Sequence, residues 1–282
     1  MNTYNVVNYH VTNLCNYHCA YCFGKFDRKD EPTFDEAKKV VDNVAEYFKA
    51  CRIADGRINF AGGEPTLYRN LDELIEYTHS KGIAVSIVTN GSLLTDDRVR
   101  LWQGKVSCVG VSIDSATALT NCMIGRCHAK GAMVFDDYIK IATALRKYSI
   151  DLKINTVVSK LNYHENLCHL YRELRPKKIK LLQMHLVEGI NDRAKEYQIA
   201  KKEFDKFCRR HSEFESIIVE EPCESMENSY LMINPDSELQ INDNGVYKIY
   251  GNLSERSLCE LLTSVPLDSE KFNSRYGKGG LI

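Results

Sequence analysis

Leu14-Cys15-Asn16-Tyr17-His18-Cys19-Ala20-Tyr21-Cys22-Phe23 follows directly on a strand-like run over residues 5–11, so its three thiols stand at the carboxyl end of a first strand. Thiolates select zinc or iron–sulfur centres, and four cysteines complete the usual four-iron cluster. Three leave one iron without a protein ligand. On spacing alone, three unligated loop thiols and a zinc knuckle with His10 or His18 as fourth donor both stay open. The aromatic Tyr21 before the last cysteine and the downstream Gly62-Gly63-Glu64-Pro65 shift the balance toward iron and sulfur.

Outward from this loop, strand-like runs at 57–61, 83–89, 106–113, 151–158 and 178–184 alternate with helix-like ones. The first helix is signalled by a capping box, Thr33 with Glu36, followed by Val40, Val41, Val44, Ala45 and Phe48 at helical spacing. A second opens at Asn70 and stops at Gly82. Six β-then-α units imply a parallel sheet with right-handed crossovers, either open and flat or curled toward a barrel. Polar motifs just past the strand ends (Gly62 to Pro65, Asn90-Gly91-Ser92, Asp114-Ser115) favour the barrel, whose functional rim lies there. The expected fold class is α/β, a partial (βα)6 barrel over residues 1–190. Residues 191–282 form a C-terminal α+β extension covering the barrel mouth within a single structural unit. There the alternation gives way to a charged helix near 193–211, short strands near 217–219, 230–233 and 238–241, and a glycine-rich end.

The 282 residues are 44% hydrophobic, with 37 basic and 38 acidic side chains. That is enough apolar sequence for one substantial core, and the balanced charge excludes a chain-wide field for tracking nucleic acid or anionic lipid. Any anion must be met locally. No apolar run approaches the roughly 20 residues that span a bilayer, and no secretory leader precedes the first strand, so a cytoplasmic protein is expected. Eleven cysteines, an odd number in a chain of this size, then imply reduced thiols. Eight are scattered; only Cys15, Cys19 and Cys22 cluster.

The three-cysteine loop after a first strand, with Gly-Gly-Glu-Pro after a second, resembles the radical S-adenosylmethionine (SAM) superfamily. That resemblance implies a [4Fe-4S] cluster on Cys15, Cys19 and Cys22, whose open iron binds the amino and carboxylate groups of SAM. Reductive cleavage of SAM then yields a 5′-deoxyadenosyl radical that takes hydrogen from an unactivated carbon. By the same resemblance Gly62 and Gly63 let the backbone approach the methionine amine, Glu64 belongs to the cofactor motif, and Tyr21 lines the adenine side. Asn90 and Ser112 meet the ribose or carboxylate. The plainer alternatives are a tight turn for the glycines and a satisfied strand serine for Ser112.

Eight stretches in register resemble the viperin family more closely: Asn8-Tyr9-His10-Val11-Thr12, Ile58-Asn59-Phe60-Ala61, Ser86 to Ser92, Ser112 to Ser115, Ile124-Gly125-Arg126, Lys153 to Val158, Lys180 to Asn191, and Asn228-Ser229-Tyr230-Leu231. This implies a lyase that dehydrates CTP, UTP or GTP to its 3′-deoxy-3′,4′-didehydro form, a chain terminator serving antiviral defence. Arg126 is implied as a SAM contact, Tyr230 as the catalytic residue near the sugar, and Asn8 and His10 as residues near the base. An electron donor of flavodoxin or ferredoxin type is implied as partner. Animal viperins carry an N-terminal amphipathic helix and a terminal tryptophan not seen here, so a microbial, soluble type is expected.

The strand pattern supplies an anion site of its own. Lys153 and Asn155 lie two apart on one strand and share a face, and Lys180 alternates with apolar Ile179 and Leu181 on the next. Ammonium groups inside a barrel require an anion, which a triphosphate supplies. The alternative is frayed strand ends in water, or pairing with a carboxylate such as Glu188. Arg275 and Lys278 in the basic, glycine-rich tail are expected to order over the phosphates as a lid. Rival readings are a radical SAM enzyme with another substrate, and a zinc-stabilised binding protein.

Overall fold

The computed structural model describes residues 3–24, 31–129 and 131–276. Strands β1 (Val6–His10), β2 (Arg57–Ala61), β3 (Ala84–Thr89), β4 (Val106–Ser112), β5 (Asp151–Val158) and β6 (Lys178–Gln183) match the six expected runs to within a residue or so at each end. Helices α1 (Phe34–Ala50), α2 (Leu71–Ser80), α3 (Asp96–Leu101), α4 (Ala118–Ile124), α5 (Phe135–Lys147) and α6 (Cys168–Leu174) fill the connections. The Thr33–Glu36 capping box is formed at the start of α1, whose apolar face (Val40, Val41, Val44, Phe48) is buried.

β1 to β6 pair in chain order, every pair parallel, and β7 (Ile218–Glu221) adds to β6 in the same sense. On the other flank β8 (Met232–Ile233) joins β1 in parallel, and β9 (Glu238–Asp243) and β10 (Val246–Asn252) follow antiparallel. The result is one ten-stranded sheet running from β10 to β7. It is an unclosed barrel. Side chains facing the helices, such as Val7, Tyr9, Ile58, Phe60, Ile87, Val109, Ile154 and Ile179, form the main apolar core. The opposite face carries the alternate polar residues, as a period of two requires.

Past β6 the structure differs from the expected single helix near 193–211. A 3₁₀ turn (Asp192–Tyr197) ends there, and α7 (Lys201–Arg210) starts afresh, because the Glu203 carboxylate accepts the Ala200 N–H at 2.8 Å and caps a new N-terminus. Short helices α8 (Cys223–Met226) and α9 (Leu258–Leu261) precede α10 (Ser269–Tyr276). The edge-to-face contact of Phe272 with Tyr4 helps seat α10 against the start of the chain. No described helix is long and apolar enough to cross a membrane.

Candidate active site

Cys15, Cys19 and Cys22 line one deep cavity inside the barrel, together with Gly62, Gly63, Asn90, Ser112 and Arg126. Their loop is stitched down on two sides. Gly63 N–H donates to the Thr12 carbonyl and Glu64 N–H to that of Leu14, both at 2.7 Å. On the far side His18 N–H donates to Gly125 O at 3.1 Å and Ala20 N–H to Ile124 O at 2.9 Å. A Cβ on Gly63 would fall 2.2 Å from the Leu14 oxygen, and one on Gly125 2.3 Å from that of His18. Here glycine is demanded by the close approach of two backbones, the first of them at the Gly-Gly motif.

Burial pushes the Cys19 thiol up to about 11, and that of Cys15 upward as well. Thiolates persist in such surroundings only beside concentrated positive charge, which bound metal provides. Among the described residues no three His, Cys, Asp or Glu side chains converge on one point as a single ion needs. Three thiols on one short loop at the wall of one cavity are the donor set that an iron–sulfur cluster takes.

Behind the thiols Asp114, fully buried, accepts from the Tyr21 hydroxyl at 2.6 Å, Arg126 Nε at 2.5 Å and Val157 N–H at 2.8 Å. This carboxylate ties the aromatic of the cysteine loop to the rim arginine, a role that the sequence, which marks Asp114 only as part of a polar rim motif, does not show. Asn90 lines the cavity with its amide already engaged by Asn16 and Ser92. Glu64 stands elsewhere than the motif suggests. Its carboxylate is fully buried and accepts from Thr66, Thr89 Oγ1 and the Asn90 N–H, so it buckles β2 to β3 behind the cavity wall.

Deeper in, inward-facing residues of β1 to β6 form a polar floor. Asn59 donates to Asn8 at 2.8 Å, Ser86 donates to Asn59 at 3.0 Å, and Asn8 reaches the Tyr276 hydroxyl at 3.3 Å. His10 lines the same cavity, held neutral by burial that brings its pKa down to about 4. Lys153, Asn155 and Lys180 also line it. Gly110 makes their room, since a Cβ there would lie 2.9 Å from Lys153 Cε and 3.0 Å from Asn155 Nδ2.

Two further cations, Arg57 and Lys178, stand at the foot of β2 and β6, and Arg57 lies close enough to disfavour the charged forms of both Lys153 and Lys178. Arg57 is 5% exposed, and its Nε and Nη2 find no hydrogen-bond partner among the described residues. Sequence reading missed both, although strand parity places Arg57 with Asn59 and Lys178 with Lys180.

The sequence reading left Lys180 without a built-in counter-charge, or with Glu188; the structure gives it Glu221, 2.5 Å away. Tyr230 lines the cavity beside that pair. Arg275 is not part of a loose tail. It is buried on α10, donating to Glu221, Ser229 and Ser225. Lys278 lies outside the described residues.

Residues 9–174 match the family model of the Radical SAM superfamily. A protein of Selenomonas ruminantium described as an S-adenosylmethionine-dependent nucleotide dehydratase is 32% identical over 277 residues, 96% of this chain and 98% of its own length. One from Fibrobacter sp. with the same description is 35% identical over 294 residues, covering 96% and 87%. Among solved structures, native anSMEcpe with bound AdoMet superposes with a TM-score of 0.70 at 17% identity, over 95% of this chain and 81% of that one. SuiB bound to S-adenosylmethionine gives 0.70 at 16%, over 97% and 68%. At such identities these structures speak to the fold alone.

Proposed function

Because the chain belongs to the radical SAM superfamily and, within it, to the S-adenosylmethionine-dependent nucleotide dehydratases, we propose that it removes water from a nucleoside triphosphate, CTP, UTP or GTP, to give the 3′-deoxy-3′,4′-didehydro nucleotide. The observation that carries this reading is a single cavity with thiols at one end and a floor of buried cations at the other. Bound together, cluster and SAM supply the radical chemistry that takes a hydrogen atom from an unactivated carbon.

Cys15, Cys19 and Cys22 would hold the cluster, which supplies an open iron site for SAM. Gly62 and Gly63 would present bare backbone to the methionine end of SAM, and Arg126, held by Asp114, would meet its carboxylate. Tyr21, Asn90 and Ser112 border the adenosine. Below, Lys153, Asn155 and Lys180 receive the triphosphate, with Arg57 and Lys178 beneath them. A polyanion suits this floor because buried cations are costly to desolvate, and one carboxylate, Glu221, does not offset Lys153, Lys180 and Arg275 together. Asn8 and His10 border the nucleoside, and Tyr230 stands at the sugar. Electrons come from a protein donor of the flavodoxin or ferredoxin class. A chain-terminating product fits antiviral defence.

A triphosphate deuterated at the ribose 4′-carbon tests the reaction. Under anaerobic turnover its deuterium should pass to 5′-deoxyadenosine while the nucleotide loses one water. Dehydrated nucleotide accompanied by unlabelled deoxyadenosine would contradict hydrogen removal from that carbon.

A further inference from the structure

Glu221 ends β7 with its side chain almost wholly buried, 1% exposed. Three groups from three separate segments donate to this one carboxylate: Lys180 Nζ of β6 at 2.5 Å, Arg275 Nε of α10 at 2.8 Å, and the hydroxyl of Tyr230 from the segment before β8. Burial alone would raise the Glu221 pKa, but the two cations bring it down to about 2. It is therefore ionised and can only accept. The phenol proton of Tyr230 is accordingly aimed at Glu221, while its ring lies under the Arg275 guanidinium, 3.8 Å from the ring centre. Lys180 Nζ is also 3.3 Å from the Tyr230 oxygen. Two cations on one anion make a stable ion-pair cluster without any phenol, so the tyrosine's place in it calls for a role.

We propose that Glu221 is a positioning residue for Tyr230, fixing its hydroxyl at the cavity wall and taking its proton as the phenol gives up an electron. This rests on the nucleotide-dehydratase reading above. A nucleotide that has lost a 4′-hydrogen atom must still shed its 3′-hydroxyl. If the C3′–O bond breaks to release hydroxide, the nucleotide is one electron short of the closed-shell product, and the hydroxide needs a proton. Tyr230 supplies the electron and is oxidised to a phenoxyl radical; its proton passes to the Glu221 carboxylate. The Lys180 ammonium gives a proton to the hydroxide, forming water. Net charge is unchanged, since one carboxylate and one ammonium are both neutralised. An electron from the flavodoxin- or ferredoxin-class donor, with the proton returned by Glu221, restores the phenol, and Lys180 reprotonates from solvent.

E221Q keeps the shape but cannot take the proton. Anaerobic turnover of the full chain with SAM and saturating amounts of the preferred triphosphate should show deoxyadenosine still forming. Dehydrated nucleotide per deoxyadenosine should fall about tenfold or more, and E221D should recover part of it. In a Y230F background E221Q should change that ratio no further, because Glu221 acts through the phenol. Before any cluster is loaded, the ¹³Cζ resonance of labelled Tyr230, assigned by its loss in Y230F, should shift in E221Q. An unchanged product ratio in E221Q with iron content intact overturns the proposal, as does a further fall of the ratio in the double variant. Should E221Q lose iron, E221D carries the same comparison, and a parental ratio there overturns the proposal. If the parent protein itself makes no dehydrated nucleotide, it is the dehydratase reading that fails, and the NMR shift still reports on the Glu221–Tyr230 bond.

Discussion

His10 illustrates what a buried polar residue costs and reports. Its folded pKa of about 4 lies below the ordinary 6.5, so the unfolded chain takes a proton that the folded protein refuses. Its contribution is fully present above pH 6.5 and is lost as pH falls toward 4, at most about 3 kcal/mol. In urea titrations at pH 7, 5.5 and 4.5, H10Q should lose stability less steeply than the parent; equal slopes would remove His10 from the acid response. Arg57 belongs to the same scale. Losing a charged hydrogen bond costs roughly 1.5–3 kcal/mol, so R57Q should raise the triphosphate KM about tenfold to a hundredfold while SAM-dependent iron spectra stay parental. An unchanged KM would take Arg57 out of the phosphate seat. The thiols, Lys153, Asn155 and Lys180 were legible because a ligand spacing and a period of two are local signals. Glu221 was not, because its partners lie on β6, before β8 and on α10, and nothing local to residue 221 announces them.

At the scale of elements, the first six strands and the opening helices were readable because each carries its own punctuation: the Thr33–Glu36 box, Gly82, and polar motifs after strand ends. T33A should lower stability by about 1 kcal/mol, seen as a lower thermal midpoint with iron content unchanged; an unaltered midpoint would show that tertiary packing alone holds the helix start. The stretch at 193–211 misled because charged residues suit a 3₁₀ turn and a helix equally, and only the Glu203 cap divides them. β10 went unread, as half-exposed sequence gives weak alternation. Gly110 looks like an ordinary strand glycine until its neighbours are known. G110A should push the Lys153 and Asn155 ends aside, raising the triphosphate KM several-fold, roughly 1 kcal/mol, with little change in thermal midpoint. A parental KM would mean that the floor tolerates the methyl.

For the whole molecule, an unclosed sheet leaves a seam that the chain must bridge with side chains, and it does so beside the cavity that Tyr230 and Lys180 line. Glu221 on the β7 edge, Tyr230 and Ser229 on the approach to β8, and Arg275 on α10 are joined across that opening. The parallel half of this arrangement was visible in sequence as repeating β-then-α units, and the polar rim pointed to the barrel. The seam depends on the path of the C-terminal extension, where pattern is weakest. The central claim is that one cavity couples an incompletely ligated iron–sulfur cluster to a triphosphate seat. Its most direct test is anaerobic incubation of the iron-loaded protein with SAM, a reductant and CTP, UTP or GTP in separate reactions. The account predicts that at least one triphosphate yields 5′-deoxyadenosine together with a nucleotide lighter by one water. Iron-loaded protein that forms neither with any of the three would contradict it.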